Sequence, residues 1–218
     1  MTNLVFLVSG NGGNLKFVYE YISKNKIQDV EIHCIADREC GAIDFARKVG
    51  IKSKVINYDR SSPANLTQYL QLIGSDIIVT NWHKIIDANT VTMFSGKMIN
   101  LHYSLLPSFG GVIGVKPIEL AFEKKCKFIG VTCHYVDEGV DTGEIIAQAT
   151  FSSDLIFADA VDTAFRAGAV ILMDSILQAS NISCMLDEKT NQMGTINFSP
   201  EIQLDLSTLD DEFWEKLK

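Results

Sequence analysis

The sequence contains no extended cluster of lysine and arginine beyond the three lysines at 124–127, and its formal net charge at pH 7 is −8. A surface that follows the phosphates of DNA or RNA needs such a cluster, so we expect no nucleic-acid partner. No apolar run approaches the roughly 20 residues that a membrane-spanning helix needs, so we expect no membrane partner. The apolar N-terminus lacks a basic lead-in and predicts a first strand, not a signal peptide. We therefore expect a cytoplasmic protein.

Cysteines are few, and none belongs to a Cys-x-x-Cys pair. Scattered positions and an odd number favour reduced thiols in a cytosolic protein. The five cysteines are Cys34, Cys40, Cys126, Cys133 and Cys184. The remaining composition is ordinary for a globular protein, with 218 residues, 47% apolar and 21% charged. This length suffices for one substantial α/β domain, or for a domain with an appendage.

Short apolar runs alternate with helical patterns along the first half of the chain. This β-α-β-α order predicts an α/β fold with a doubly wound, mostly parallel sheet of the Rossmann-like type. Two of the finer predictions in this half are a third strand over 54–58 and a helix capped by Ser62, with Pro63 as its first residue.

The pattern changes in the second half. The predicted elements are a helix over 117–125, strands over 128–136 and 144–151, and a long helix over 159–179. The tail carries a predicted turn at 191–194 and an acidic, aromatic segment around Phe213 and Trp214. We predict a main domain at 1–180 and a C-terminal extension, a hairpin or tail, at 181–218.

Glycines fill the turn between the first strand and the first helix, where residues 9–15 read Ser-Gly-Asn-Gly-Gly-Asn-Leu. Glycine lets the backbone approach a ligand, and a helix N-terminus favours an anion. The spacing is neither Gly-x-Gly-x-x-Gly nor a Walker loop, so it does not indicate NAD or ATP. We predict an oxyanion or phosphate cradle, because the loop lies at the carboxyl edge of the predicted sheet. A plain tight turn is the alternative.

A polar pair, Asn100 and His102, ends the apolar strand that leads into Ser-Leu-Leu-Pro at 104–107. Side chains alternate along a strand, so the amide and the imidazole share a face. An amide that donates to an oxyanion, beside an imidazole that carries a proton, predicts an acyl-transfer site. Taken alone, a histidine in a strand is more often a core or surface residue.

A third motif, at 130–143, holds Asp141 in a bend with glycines on both sides. A carboxylate within reach of His102 favours the imidazolium and fixes the orientation of the ring. The alternative for Asp141 is an ordinary turn. The prediction is therefore a histidine–carboxylate pair at the same sheet edge.

Several neighbouring residues have both a functional and a structural interpretation. Thr132 and His134 alternate onto one face and hold an ordered water or a ligand, or else make structural hydrogen bonds. Asp137 and Glu138 are ligand contacts or solvated loop charges. The loop at 82–86 follows a buried strand and is predicted to border a crevice at the same sheet edge. The alternative is that the indole of Trp82 only packs under the loop.

Together these motifs resemble the folate-dependent formyltransferase family. The shared pattern is Ser-Gly-Asn-Gly-x-Asn-Leu at 9–15, Asn-x-His-x-Ser-Leu-Leu-Pro at 100–107 and Gly-x-Thr-x-His-x-Val-x-Glu-x-x-Asp-x-Gly at 130–143. An Ile-Ile-x-Gln stretch that ends at Gln148 also matches. Three motifs in the same order argue against chance, and the resemblance covers residues 4–180.

The resemblance implies transfer of a formyl group to a primary amine from 10-formyltetrahydrofolate, a cosubstrate, with no metal. It implies Asn100, His102 and Asp141 as the catalytic trio. The cofactor-binding residues that it implies are Trp82, His83, Lys84, Ile85, Ile86, Val136, Asp137, Glu138 and Val140. The substrate-binding residues that it implies are Gly10, Asn11, Gly12, Gly13, Asn14 and Ser104, with Thr132 and His134 in support.

Three departures from the family pattern bear on the acceptor. Tyr103 stands where the branch that formylates phosphoribosylglycinamide has proline. The helix segment at 166–170 lacks the Glu-His pair that holds the ribose in that branch. The tail is similar to those of formyltransferases that act on nucleotide-linked amino sugars. We therefore expect a phosphate- or nucleotide-bearing small amine, a dTDP- or UDP-linked amino sugar for surface-polysaccharide (O-antigen) biosynthesis.

Other functions stay open. The first alternative is formylation of phosphoribosylglycinamide in purine biosynthesis. Weaker alternatives are a formyltetrahydrofolate hydrolase, whose family normally carries an extra N-terminal domain, and a non-catalytic folate-binding module. We also expect a homodimer, with the aromatic tail around Phe213 and Trp214 as its interface.

Overall fold

The computed structural model describes residues 1–180, 182 and 193–217. They form two compact units, Met1–Asn100 with Asp210–Lys218, and Leu101–Leu209. The predicted division at residue 180 is a different one and stays a prediction. Cys184 and the first two residues of the turn predicted at 191–194 lie outside the described residues.

The first unit is built on parallel strands in the order β3-β2-β1-β4-β5. The strands are β1 (Thr2–Val8), β2 (Val30–Ala36), β3 (Lys52–Val55), β4 (Ile77–Asn81) and β5 (Met98–His102), whose last two residues belong to the second unit. Val8 pairs with Ala36 on one side and with Asn81 on the other. The loops after β1, β2 and β4 therefore share one edge of this sheet, and the predicted α/β fold with a mostly parallel sheet is confirmed.

Helices alternate with these strands and continue through the second unit. They are α1 (Gly13–Lys24), α2 (Gly41–Val49), α3 (Ala64–Ile73), α4 (Ala88–Met93), α5 (Lys116–Glu123), α6 (Phe157–Ala179) and α7 (Asp211–Glu215). Glycines end two of them: Gly50 after α2 and Gly74 after α3 both have left-handed backbone, which glycine adopts without strain. No helix in the described part of the chain is long and apolar enough to cross a membrane.

Two finer predictions in the first unit are wrong. The third strand is Lys52–Val55, because these are the residues that pair with β2, whereas the predicted strand was 54–58. The helix predicted to start at Pro63 starts one residue later and has no side-chain cap. The chain is still turning at Ser62, whose N–H donates to the carbonyl oxygen of Asp59.

The aromatic tail packs inside the first unit. The rings of Phe213 and Trp214 lie 5.3 and 5.4 Å from the ring of Phe17 on α1. Phe213 is 1% exposed and Trp214 is 7% exposed. Both side chains are buried within their own chain, so they cannot form the interface that we predicted for them.

The second unit contains the antiparallel strands β6 (Phe128–Tyr135), β7 (Ile145–Ser152) and β8 (Asn197–Ser199), with α6 packed on β6 and β7. Gly130 on β6 is required by close packing, because a Cβ there would collide with Leu105 and with the carbonyl oxygen of Ala149. The 104–109 segment therefore lies directly against β6, and this contact sets the position of the site described next.

Candidate active site

His102 is the last residue of β5, and it is buried with 6% exposure. Its Nδ1 lies 3.2 Å from Oδ2 of Asp141, and its Nε2 lies 3.1 Å from the carbonyl oxygen of Phe109. Both neighbours are hydrogen-bond acceptors. A neutral ring donates to only one of them, whereas an imidazolium donates to both. The structure thus brings together the predicted histidine and carboxylate in a pair that can hold a proton.

Asp141 is fixed in place by the backbone. Its φ angle is +55°, in the left-handed region that few non-glycine residues adopt. The N–H of Gly111 donates to Oδ2 over 2.8 Å. Gly143 allows the bend to close, because a Cβ there would collide with the carbonyl oxygen of Tyr135. The glycine-flanked bend in the sequence therefore serves to aim this carboxylate.

Burial and charge act in opposite directions on the two groups. Burial lowers the pKa of His102, and the charge of Asp141 and the contact with the carbonyl of Phe109 only partly offset this effect. Burial also raises the pKa of Asp141, but hydrogen bonds from His134 and from the N–H of Gly111, together with the charge on His102, outweigh burial and lower it. The carboxylate is therefore ionised near neutral pH, next to a ring that is ready to accept a proton.

His134 supports the carboxylate from its other side. Its Nε2 lies 3.6 Å from Oδ1 of Asp141, and its Nδ1 lies 2.8 Å from the carbonyl oxygen of Tyr135. The side chain is almost fully buried, so its orientation is fixed. His134 thus contacts the pair, as expected of a supporting residue.

Thr132 joins three segments through one hydroxyl group. It donates to the carbonyl oxygen of Ser104 over 2.7 Å, and it accepts from the N–H of Leu106 at 3.1 Å and from Nε2 of Gln148 at 3.0 Å. The Ser104 hydroxyl in turn donates to the carbonyl oxygen of Ser108. These contacts favour the structural interpretation of Thr132, and they hold the segment that carries the Phe109 carbonyl.

The glycine-rich segment at 9–15, which we call the glycine loop, belongs to the first unit and runs into the start of α1. Gly12 has a φ of +71° and occupies the N-cap position without a side-chain cap, so the first N–H groups of the helix are not capped by a side chain. Asn14 is 9% exposed and donates through Nδ2 to Oδ1 of Asn81 over 3.1 Å. Its own Oδ1 is buried without a partner in the described part of the chain.

The 82–86 loop, also in the first unit, leaves β4 with mixed exposure. Trp82 is 8% exposed, and its ring lies 5.1 Å from that of Tyr58. The indole thus packs in the core of the loop, although its Nε1 has no partner among the described residues. Ile85 is 52% exposed, whereas Ile86 is buried. The N–H of His83 donates to the hydroxyl of Ser9, which ties this loop to the glycine loop.

Further predicted residues lie on β5 and in the loop that follows β6. Asn100 is half-buried on β5, two residues before His102. Asp137 accepts from the N–H of Gly139 and from the hydroxyl of Thr142, so its carboxylate shapes the loop. Val136, Glu138 and Val140 belong to the same loop, and Val140 is 49% exposed.

Two backbone groups of this site were missing from the prediction. They are the carbonyl of Phe109 and the N–H of Gly111, which contact His102 and Asp141. The only sequence signal for them is the glycine pair at 110–111, which permits a tight turn there.

Comparison with known proteins decides the family. The sequence profile described as Formyl transferase matches residues 2–164. The chain belongs to the formyl transferase family. The chloroplastic phosphoribosylglycinamide formyltransferase of Arabidopsis thaliana is 33% identical over 156 residues, which are 67% of this chain and 53% of that protein. The Bacillus subtilis phosphoribosylglycinamide formyltransferase is 29% identical over 71% of this chain and 81% of its own.

Solved structures of this family agree. Glycinamide ribonucleotide transformylase 1 from Symbiobacterium toebii is 26% identical, with a TM-score of 0.75 over 86% of this chain and 92% of that one. The chain spans about half the length of the plant formyltransferases that it matches. These relatives carry the name of our alternative acceptor, phosphoribosylglycinamide, and none of them supports the amino sugar that we favoured.

Proposed function

We propose that this chain transfers the formyl group of 10-formyltetrahydrofolate to a primary amine. The observation that carries the proposal is the contact of His102 with Asp141, in a chain of the formyl transferase family. Formyl transfer needs a group that moves a proton and a group that stabilises an oxyanion. A buried imidazole beside an ionised carboxylate meets the first need, and the amide of Asn100 is our candidate for the second.

The proposed chemistry assigns one task to each member of the trio. The amide of Asn100 donates to the oxygen that becomes negative when the amine nitrogen bonds to the formyl carbon. His102 accepts the proton that the amine loses and passes it to the folate nitrogen as the bond from that nitrogen to the formyl carbon breaks. Asp141 holds the ring and stabilises the imidazolium in between.

We further propose that the donor is bound by the residues of 82–86 and 136–140, and that the phosphate of the acceptor is bound at 10–14. The uncapped N-terminus of α1 supports the second assignment, because free N–H groups at a helix start bind anions. Ser104 has a smaller part in this proposal, because its hydroxyl is engaged with the backbone of Ser108.

Phosphoribosylglycinamide is the acceptor that the relatives support, since the Arabidopsis thaliana and Bacillus subtilis proteins carry its name. A nucleotide-linked amino sugar remains the second candidate because of one observation on α6. Residues 167–170 read Ala-Gly-Ala-Val and are buried, and Gly168 packs against Leu101. This segment therefore offers no carboxylate to a ribose.

The assignment of the trio is tested by turnover of purified variants. We expect His102→Ala and Asp141→Asn each to lower turnover by at least about 100-fold, the usual contribution of a general acid–base group. The matched control is Asp162→Asn, an exposed carboxylate that pairs with Arg166 on α6. It should keep full turnover, because surface ion pairs contribute little. Full turnover by a folded His102→Ala protein excludes the assignment.

The acceptor is tested in a separate screen. Wild-type protein and 10-formyltetrahydrofolate are incubated with phosphoribosylglycinamide, or with dTDP- and UDP-linked amino sugars, and the products are weighed by mass spectrometry. Formylated phosphoribosylglycinamide supports the first candidate. Formylation of an amino sugar alone supports the second, and loss of the formyl group to water without any acceptor indicates a hydrolase.

A further inference from the structure

A cavity of about 460 Å³ lies in the first unit, between the edge strand β3 and helix α3. Its volume is within the range of small-molecule sites. One wall is formed by the end of β3 with the residues that follow it, and the other by α3. The lining residues on which the argument depends are Lys54, Asn57, Asn65, Gln68, Tyr69 and Leu72.

The helical wall of the cavity is one face of α3. Four lining residues are spaced three and four positions apart along this helix, and they are Asn65, Gln68, Tyr69 and Leu72. Such a spacing places side chains on the same face. The core is contacted by a different face of α3, which carries the fully buried Leu66 and Leu70. The face at the cavity is therefore not required for packing of the core.

Lys54 is the one charged residue among the described residues that line the cavity. Its Nζ lies 4.0 Å from the centroid of the Tyr69 ring, a cation–π contact that holds the ammonium group in place. On the same strand, Lys52 lies 2.5 Å from the carboxylate of Glu31, whereas Lys54 forms no ion pair within the described part of the chain. The ammonium group of Lys54 is thus available to an anion.

Three side-chain amides surround this charge. Asn57, Asn65 and Gln68 are exposed, and their side chains have no hydrogen-bond partner within residues 1–180, 182 and 193–217. An amide both donates and accepts hydrogen bonds, as a hydroxyl group does. The side chain of Leu72, which is 80% exposed, adds an apolar surface for C–H groups. The cavity therefore combines one cation, three amides and an apolar contact.

We propose that this cavity binds a sugar phosphate. The ammonium group of Lys54 binds the phosphate, because lysine acts as a point charge toward phosphate groups. The amides of Asn57, Asn65 and Gln68 bind hydroxyl groups of the sugar. The Nζ of Lys54 occupies one face of the Tyr69 ring, so that face is closed to a stacked nucleobase. This observation favours a sugar phosphate without a base over a nucleotide.

The cavity is distinct from the candidate active site. In the sheet, β3 is the first strand and β5, which carries Asn100, is the fifth. Four strand spacings of about 4.8 Å separate them by about 19 Å. The cavity is lined by none of the residues of the glycine loop, of the 82–86 loop or of the catalytic trio. Formyl transfer therefore does not account for it, and the proposal is independent of the proposed function.

The first test locates the ligand by NMR. Ribose 5-phosphate is titrated into protein labelled with nitrogen-15, and the side-chain amide signals of Asn57, Asn65 and Gln68 are followed. We expect these signals to shift and to saturate. This readout separates the cavity from the proposed phosphate site at 10–14. If only the signals of residues 10–14 shift, the proposal is overturned.

The second test removes the charge. We expect Lys54→Gln to raise the dissociation constant read from the cavity signals by at least about tenfold, because hydrogen bonds to charged groups are the stronger ones. The matched control is Lys48→Gln on α2, which removes an exposed lysine that does not line the cavity. It should bind as the wild type does. Circular dichroism confirms that both variants fold, and equal dissociation constants in the two folded variants overturn the proposal.

The third test separates the parts of the ligand. Inorganic phosphate and ribose are each titrated alone, and we expect both to bind at least about tenfold more weakly than ribose 5-phosphate, since each lacks one set of contacts. Inorganic phosphate that binds as tightly as ribose 5-phosphate overturns the role of the amides. Uridine 5′-monophosphate that binds more tightly than ribose 5-phosphate overturns the assignment of a ligand without a base. None of these titrations needs a formyl donor or turnover.

Discussion

The carbonyl oxygen of Phe109 lies 3.1 Å from Nε2 of His102, while the carboxylate of Asp141 lies at Nδ1 of the same ring. The ring is therefore held between two acceptors in a buried position. Phe109 reaches this position with a φ of +59°, in the left-handed region. The arrangement stabilises a proton on the ring against the burial that disfavours it, and this competition can be measured directly.

The first prediction concerns the pKa of His102. Burial lowers it, and the charge of Asp141 raises it in part. Replacement of Asp141 by asparagine removes the raising effect of the carboxylate charge, so we expect the pKa of His102 to fall further. The measurement is an NMR titration of the imidazole protons in wild type and Asp141→Asn.

His33 serves as the control for this titration. It is buried on β2 in the first unit, where burial lowers its pKa and Glu31 raises it in part. The Asp141→Asn change should leave the titration midpoint of His33 unchanged. A higher midpoint for His102 in the variant contradicts the assigned role of the carboxylate.

The second prediction concerns stability against pH. The pKa of His102 is lowered in the folded chain, so the fold favours the neutral ring, and the free energy of unfolding must fall as pH drops below the ordinary value of 6.5. We expect His102→Gln to lose less stability than wild type between neutral pH and about pH 5. Urea unfolding at a series of pH values measures this slope. Equal slopes in the two proteins contradict the expectation.

The third prediction concerns the hydroxyl of Thr132. Thr132→Val keeps the shape but leaves the N–H of Leu106 and the amide of Gln148 without this acceptor. We expect a loss of about 1–3 kcal/mol in the free energy of unfolding, the usual cost of unsatisfied buried groups. Because the same hydroxyl holds the 104–109 segment, turnover should fall as well.

Thr150→Val is the matched control for this change. Thr150 lies on β7, and its hydroxyl makes a single hydrogen bond, to the carbonyl oxygen of Ile129. The control should cost less stability and leave turnover intact. If both valine variants lose the same stability and the same turnover, the hydrogen bonds of the Thr132 hydroxyl do not position the Phe109 carbonyl.

Sequence patterns predict the parts of the fold in which burial or close packing requires a particular kind of residue. Alternation of apolar runs with helical patterns indicates the buried parallel strands, because strands buried on both faces must be apolar throughout. The third strand, Lys52–Val55, is polar and mostly exposed, and its bounds were predicted wrongly. The contact of His102 with Asp141 follows from motif spacing combined with a family resemblance. Gly143 carries its own signal, because only glycine fits where the chain approaches the carbonyl of Tyr135.

The rest depends on groups that leave no mark in the sequence. The acceptor at Nε2 of His102 is a backbone carbonyl, and its position depends on a left-handed φ at Phe109, a residue type that does not indicate one. Similarly, Phe213 packs on Phe17 from the far end of the chain, and no local periodicity reports such a contact. Long-range packing and backbone polarity therefore had to come from the structure.

The fourth prediction concerns Asp174, a carboxylate on α6 with 1% exposure. Its Oδ1 accepts from the N–H of Gln203 over 2.7 Å, and its Oδ2 accepts from Nε2 of Gln178 over 2.6 Å. A buried carboxylate is tolerated only where such donors satisfy it, so this residue fastens the tail segment at 202–204 to the helix. Ile202 within this segment is 1% exposed, which shows how closely the tail packs.

Asp174→Leu retains the approximate volume but leaves the N–H of Gln203 without its acceptor. We expect faster hydrogen–deuterium exchange at Gln203 and a loss of about 1–3 kcal/mol in the free energy of unfolding. Asp174→Asn is the conservative control, because its remaining oxygen still accepts from Gln203 while the Gln178 amide rotates to present its own oxygen. Exchange at Gln203 should stay slow in the asparagine variant. Slow exchange in the leucine variant as well would show that apolar packing alone, and not the carboxylate, holds the tail on α6.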